Sequence, residues 1–168
     1  MADHLLPDEL VAKARQVVEA NRKAGKRITV AESCTGGLVS AALTEIPGAS
    51  DVFFGGFVTY SNEAKSKRLG VGEDVIATFG AVSIATAWAM ARGALDNSGA
   101  DLAVAITGIA GPDGGTPSKP VGTVVFARAE RGRPVEDIHS NSKLLDASGG
   151  RAGVRFQAAL EALDLLMP

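Results

Sequence analysis

Three stretches of this chain set reactive side chains beside residues too small to obstruct a ligand. The first is Val30-Ala31-Glu32-Ser33-Cys34-Thr35-Gly36-Gly37. It follows an apolar run and precedes the helical-looking "LVSAALTEI". A serine hydroxyl is a weak nucleophile until a base takes its proton. At a strand-to-helix junction the amides of Thr35, Gly36 and Gly37 are left unpaired and point forward, where they suit a phosphate or an oxyanion. The same residues also suit a plain cap, with Ser33 or Thr35 closing the helix and the glycines permitting a tight turn.

The second stretch, "TYSNEAK", supplies Tyr60, Asn62 and Lys65. Lysine acts as a base only when its pKa falls well below the ordinary value of about 10.4. Burial or a nearby cation does this. A Ser–Lys pair needs no histidine, which fits a chain whose two histidines, His4 and His139, lie far apart. Tyr60 could relay a proton or orient the lysine. Lys65, Lys67 and Arg68 equally read as the solvated face of a surface helix.

The third stretch, "AITGIAGPDGGTPSKPVGT", opens with Thr107 and carries Gly108, Gly111, Gly114 and Gly115. Its spacing matches neither the dinucleotide fingerprint nor a P-loop. A loop this long inside a compact domain is functional or disordered, and Lys119 could meet an anion there. Arg151 and Arg155, one helical turn apart, could clamp a phosphate or stand as two surface arginines. Cys34 offers a rival nucleophile, intrinsically better as a thiolate. Neighbours on an extended strand point to opposite faces, however, so Ser33 and Cys34 are not expected to share one pocket.

The elements that must position these residues follow from patterning. Leu10, Val11, Ala14, Val17 and Val18 recur at helical spacing, with Pro7 and Asp8 at the start and Gly25 at the stop. "RITVAES" reads as a strand, 36–46 as a helix, and "DVFFGGFVTYS" as a strand whose Gly55-Gly56 signals a bulge or a close approach. Short helices are expected over 62–70 and 72–80, and a longer one over 83–98 capped by Ser83. "DLAVAITG" is apolar throughout, as a buried strand should be. "GTVVFARA" and "PVEDIHSNSKLL" read as an antiparallel pair around the turn "ERGR", and 150–166 as a last helix. This order predicts one α/β domain over 1–168. Its architecture is a three-layer α/β/α sandwich around a mixed, mostly parallel sheet of about five strands. Ligands gather at strand carboxyl ends in such sheets, which selects the loops 33–37, 60–65 and 107–119.

The totals narrow the function classes. With 168 residues, one domain is the default. Aromatics are only 5%, so the core must be built from Ala, Val, Leu and Ile. A net charge of -2 argues against a protein that tracks nucleic-acid phosphates. No apolar stretch is long enough to span a bilayer, and "MADHLLPDEL" lacks the pattern of a secretory leader, so a cytoplasmic protein is expected. One cysteine makes no internal disulfide, and neither zinc-ligand nor calcium-loop spacing occurs. The Phe53-Phe54 pair suits either the core or a homo-oligomer interface.

Together "AESCTGG", "YSNEAKSKRLGV", "AITGIAGPDGGT" and "KPVGTV" resemble the CinA C-terminal domain, or PncC-type nicotinamide mononucleotide deamidase, family over roughly residues 10–166. The resemblance implies a stand-alone amidohydrolase domain without the extra N-terminal domain of longer members. It implies hydrolysis of the nicotinamide mononucleotide carboxamide to nicotinate mononucleotide and ammonia; from the residues themselves, a Ser–Lys reaction without metal or other cofactor is expected. It carries the nucleophile onto Ser33 and the base onto Lys65 with Tyr60 beside it. The ligand-binding wall falls on Thr107, Gly108, Ile109, Ala110 and Gly111, and the late arginines on Arg151 and Arg155. The chain departs from the family's pattern at Gly150, where an acidic residue is expected, and at Leu145, where an aromatic is.

Overall fold

The computed structural model describes residues 3–168; Met1 and Ala2, which open the stretch searched for a leader, lie outside it. Helix α1 (Asp8–Ala24) starts after Pro7 and ends on Gly25 in the left-handed conformation that a Cβ disfavours. It leads into β1 (Ile28–Glu32), α2 (Leu38–Thr44) and β2 (Phe53–Val58). Three helices follow, α3 (Asn62–Leu69), α4 (Glu73–Phe79) and α5 (Ile84–Asp96), then β3 (Leu102–Gly108). The chain closes with β4 (Thr123–Glu130), β5 (His139–Leu144) and α6 (Gly150–Leu165). The expected strand over 134–145 is shorter at its start. Pro134 fixes its own φ at -54°, and Asp137 and Ile138 donate back to Pro134 and Val135, closing a 3-10 turn before the strand begins.

The five strands run in the order β2-β1-β3-β4-β5. β2, β1 and β3 are parallel, and β4 and β5 continue antiparallel from β3. From β1 the chain moves outward to β2 on one side and later to β3 on the other. The strand order therefore reverses between β1 and β3, and a crevice opens beyond their carboxyl ends. Ser33 leaves β1 there, with its amide still donating to Ile106 of β3 at 2.9 Å. Thr107, next to last in β3, lies on the same edge.

The two faces of the sheet differ in side-chain size. Ile28, Val30, Leu102, Val104, Ile106, Val124 and Phe126 pack against α1, α2 and α6. The alternate residues Ala31, Ala103, Ala105, Ala127 and Ala129 face α5, which answers with Ala87, Ala91 and Ala94. Small residues on both sides let α5 lie close to the sheet. Helix α3 is then drawn onto α5 at Gly93, where an added Cβ would sit 1.9 Å from the Leu69 carbonyl oxygen. Because α3 carries Lys65, this contact sets the height of the lysine above the sheet. Gly93→Ala should force the helices apart at an overpacking cost of about 2–3 kcal/mol. Thermal unfolding should show a midpoint roughly 5–10 °C lower.

Gly56 has a similar purpose. A Cβ there would lie 2.2 Å from the Ser40 Oγ on α2. The register between β1 and β2 slips beside it, at Ile28/Thr29. The double glycine thus marks both a bulge and a close approach.

Candidate active site

Lys65 lies in the second turn of α3, a helix whose start is fixed by the Ser61 side chain accepting the Ala64 amide at 3.0 Å. Its side chain runs inward and is 1% exposed. The Lys65 Nζ donates to the Thr59 carbonyl at 2.9 Å and the Tyr60 carbonyl at 3.1 Å, and stands 2.9 Å from the Ser33 Oγ. Carbonyl oxygens only accept, so two amine hydrogens are committed to them. The third tetrahedral position points at Ser33. In a neutral amine that position is the lone pair, aimed at the hydroxyl proton. Burial holds the Lys65 pKa below its ordinary 10.5, partly countered by the nearby Cys34. The structure thus brings two residues 32 positions apart, the candidate nucleophile and the candidate base, into hydrogen-bonding contact.

The turn that carries Ser33 is tied down from both sides. Buried Glu32 directs its carboxylate at the start of α2: Oε2 accepts from the Gly37 and Val39 amides at 3.1 Å, and Oε1 from Ser40. The Gly36 amide donates to the Ser33 carbonyl at 3.0 Å. From α6, Arg155 donates to the Cys34 and Thr35 carbonyls at 3.0 and 3.1 Å.

These contacts correct several expectations. The amides of Gly36 and Gly37 are not free for an anion, because a serine carbonyl and a carboxylate already occupy them. Among the described residues the Thr35 amide has no protein partner. Arg155 braces the turn instead of bordering the cavity. The Tyr60 phenol does not reach the dyad: it is 60% exposed and accepts from Arg151 at 2.9 Å, whereas the Tyr60 backbone carbonyl holds the amine. The Thr107 hydroxyl is spent on the Ala81 carbonyl at 2.8 Å.

A cavity of about 240 Å³ opens over the dyad. Of the expected site residues, Ser33, Tyr60, Asn62, Lys65, Thr107, Gly108, Ala110 and Arg151 line it. Thr35, Gly36, Gly37, Ile109, Gly111 and Arg155 do not. Ile109 is held in a turn by Thr123 and Gly122. Gly111 meets the site only through its carbonyl, which accepts from Arg151 at 2.8 Å. Arg151 thereby bridges the glycine-rich loop and Tyr60 across the cavity mouth. Ala81 and Val82, which join α4 to α5, complete the wall. Nothing in their residue types announces this, since only the docking of α5 brings them there.

Cys34 also borders the cavity, although its side chain belongs to the core on the α2 and α6 face. β1 ends at Glu32, so strand alternation no longer governs Cys34, and the separation from Ser33 is less complete than expected. Its thiol is 5% exposed and burial pushes its pKa up to about 11. A neutral, covered thiol is a poor nucleophile. The folded protein should resist iodoacetamide at pH 7.5; rapid alkylation with matching loss of activity would favour Cys34 over Ser33.

Among the described residues no group of three or more His, Cys, Asp or Glu side chains could hold a metal ion, and no helix is long and apolar enough to cross a membrane.

The family model for the CinA C-terminal domain matches residues 11–168. The chain belongs to the CinA C-terminal domain family. It is 52% identical over 143 residues to a CinA-like protein of Mycobacterium avium, covering 85% of this chain and 33% of that one. It is 47% identical over 159 residues to a CinA-like protein of Mycobacterium tuberculosis, covering 95% and 34%. The chain thus spans about a third of the length of these curated relatives. Among solved structures, the competence/damage inducible protein CihA from Agrobacterium tumefaciens superposes with a TM-score of 0.91 at 44% identity, over 99% of this chain and 97% of that one. A competence damage-inducible protein A from Klebsiella pneumoniae gives 0.86 at 36% identity, over 94% of each. In this CinA domain, α1 to α6 and the five strands therefore form a fold shared along nearly the whole chain.

Proposed function

We propose that this CinA domain is a nicotinamide mononucleotide deamidase. In this reading it hydrolyses the substrate carboxamide to nicotinate mononucleotide and ammonia by a Ser–Lys mechanism. The observation that carries the reading is the Lys65 Nζ held 2.9 Å from the Ser33 Oγ by two carbonyls that can only accept. Neutral Lys65 takes the Ser33 proton as Oγ bonds to the carboxamide carbon. The carbonyl electron pair moves onto oxygen. The pair returns, the C–N bond breaks, and the Lys65 ammonium gives its proton to the departing ammonia. Water then attacks the acyl ester, its proton passing to Lys65 and on to the Ser33 Oγ as the ester breaks.

The cavity is smaller than the usual range of about 300–1,000 Å³ for small-molecule pockets. It suits the reacting pyridine carboxamide, with the ribose and phosphate lying outward past Arg151. A guanidinium at the mouth fits a phosphate bidentately. A coupled ammonia assay with nicotinamide mononucleotide, the riboside and free nicotinamide, each with and without chelator, tests this. The reading expects release from the mononucleotide, weaker use of the riboside, and no effect of chelator. Calorimetric binding of the mononucleotide without ammonia release would instead make this a binding module.

A further inference from the structure

Glu32 is 0% exposed and meets no lysine or arginine side chain in its hydrogen bonding. A buried carboxylate is costly unless its oxygens are satisfied. Here four donors converge on it: the amides of Gly37, Val39 and Ser40 at 3.1, 3.1 and 2.9 Å, and the Ser40 hydroxyl at 2.8 Å. Its backbone carbonyl meanwhile accepts from the Thr59 amide at 2.9 Å. Thr59 is the residue whose own carbonyl holds the Lys65 amine. One residue thus grips the turn bearing the nucleophile with its side chain and the segment bearing the base's clamp with its backbone. The absent side chain at Gly56 makes the room for the Ser40 hydroxyl to reach Glu32.

We infer that Glu32 is the positioning residue of this site, its carboxylate filling the amide cluster after β1 so that the 33–37 turn presents Ser33 to Lys65. This rests on the Ser–Lys reading, but not on the identity of the substrate. Four fixed donors and a fixed backbone bond leave the turn one arrangement. Glutamine at this position replaces one acceptor oxygen with an NH2 group that must face an N–H donor, so the turn has to move. A displacement of about 1 Å at a reacting atom can cost about 100-fold in rate.

The experiment is the rate of covalent labelling of Ser33 by a serine-directed fluorophosphonate, with the labelled fraction at completion and thermal unfolding measured in parallel. Glu32→Gln should label at least about 100-fold more slowly while reaching the parent's final fraction. Ser40→Ala, which removes one of the four bonds, should label about fivefold more slowly. Gly56→Ala, which displaces the same hydroxyl, should match Ser40→Ala. On the mononucleotide, kcat should fall by the same factors with KM within about threefold.

If Glu32→Gln does not fold, the other two variants decide. Parent-like labelling rates in the folded variants would overturn the proposal. So would a lower final fraction at an unchanged rate, which is the mark of a merely structural role. A raised KM at constant kcat would overturn it too. A parent that the probe does not label at Ser33 removes the nucleophile and the proposal together. A parent that labels but releases no ammonia defeats the substrate reading alone, and the labelling rates still judge Glu32.

Discussion

Ser33→Ala should lower kcat for ammonia release by a factor of about 10^4–10^6 and leave the protein folded. The magnitude is that of deleting a nucleophile whose partners act with it as a unit. Two features make this the largest expected effect. The Ser33 Oγ is the hydroxyl that the lysine amine reaches. The neighbouring Cys34 thiol is covered and held neutral, so it is a poor substitute. Folding should survive, because Ser33 gives the sheet its backbone amide, bonded to Ile106, and not its side chain. Lys65 keeps both carbonyl acceptors. The check is ammonia release by a variant with parent-like thermal unfolding. Turnover within tenfold of the parent would end the serine mechanism.

Lys65→Met is the second. It keeps a long flexible side chain in the buried channel and removes the amine. Loss of a general base costs about 10^2–10^4 in rate. The Thr59 and Tyr60 carbonyls lose their donors, at about 1–3 kcal/mol for each that stays unsatisfied. Against this, the cost of taking a lysine out of water and away from its proton disappears. The two effects separate by pH. The folded-state pKa of Lys65 is below the ordinary 10.5. Between those two values the unfolded chain binds more protons than the folded one, so stability rises with pH across that window. Parent denaturation curves at pH 7 and pH 10 should show this rise beyond that of other groups, and Lys65→Met should lack it. Equal pH dependence in the two proteins would place the lysine in an ordinary aqueous setting.

Much of the frame was legible because it rests on short-range rules. Helical periodicity located α1, α5 and α6, and the unbroken apolar run located β3. The scarcity of aromatics foretold an alanine-rich core, which appears as the close packing of α5 on the sheet. Ser33 and Lys65 could be named from their types and their positions after strands. Their meeting depends on the β2-β1-β3 order, which no local pattern states.

What escaped depended on competition for hydrogen bonds. The glycines after Ser33 looked like free amide donors, but the Ser33 carbonyl takes the Gly36 amide and the Glu32 carboxylate takes that of Gly37. The signal was present in alternation: Glu32 shares parity with Ile28 and Val30, so a carboxylate had to be buried and needed donors nearby. Arg155 and Arg151 share a helix side but not a role, because the turn carbonyls stop the first while the second reaches on to Gly111 and Tyr60. The Tyr60 contribution came from its backbone, which a residue type cannot reveal. The start of β5 moved because Pro134 favours a turn over a strand pairing.

The central claim is that an amine whose hold on its third proton is weakened by burial stands ready to take the Ser33 proton. The direct measurement is the titration of Lys65 by NMR of its 13Cε in the folded protein, with the signal assigned by its absence in Lys65→Met. The account predicts a midpoint below 10.5, coinciding with the pH at which kcat/KM levels off. A midpoint at or above 10.5 would contradict it, leaving Ser33 with no base to arm it at neutral pH.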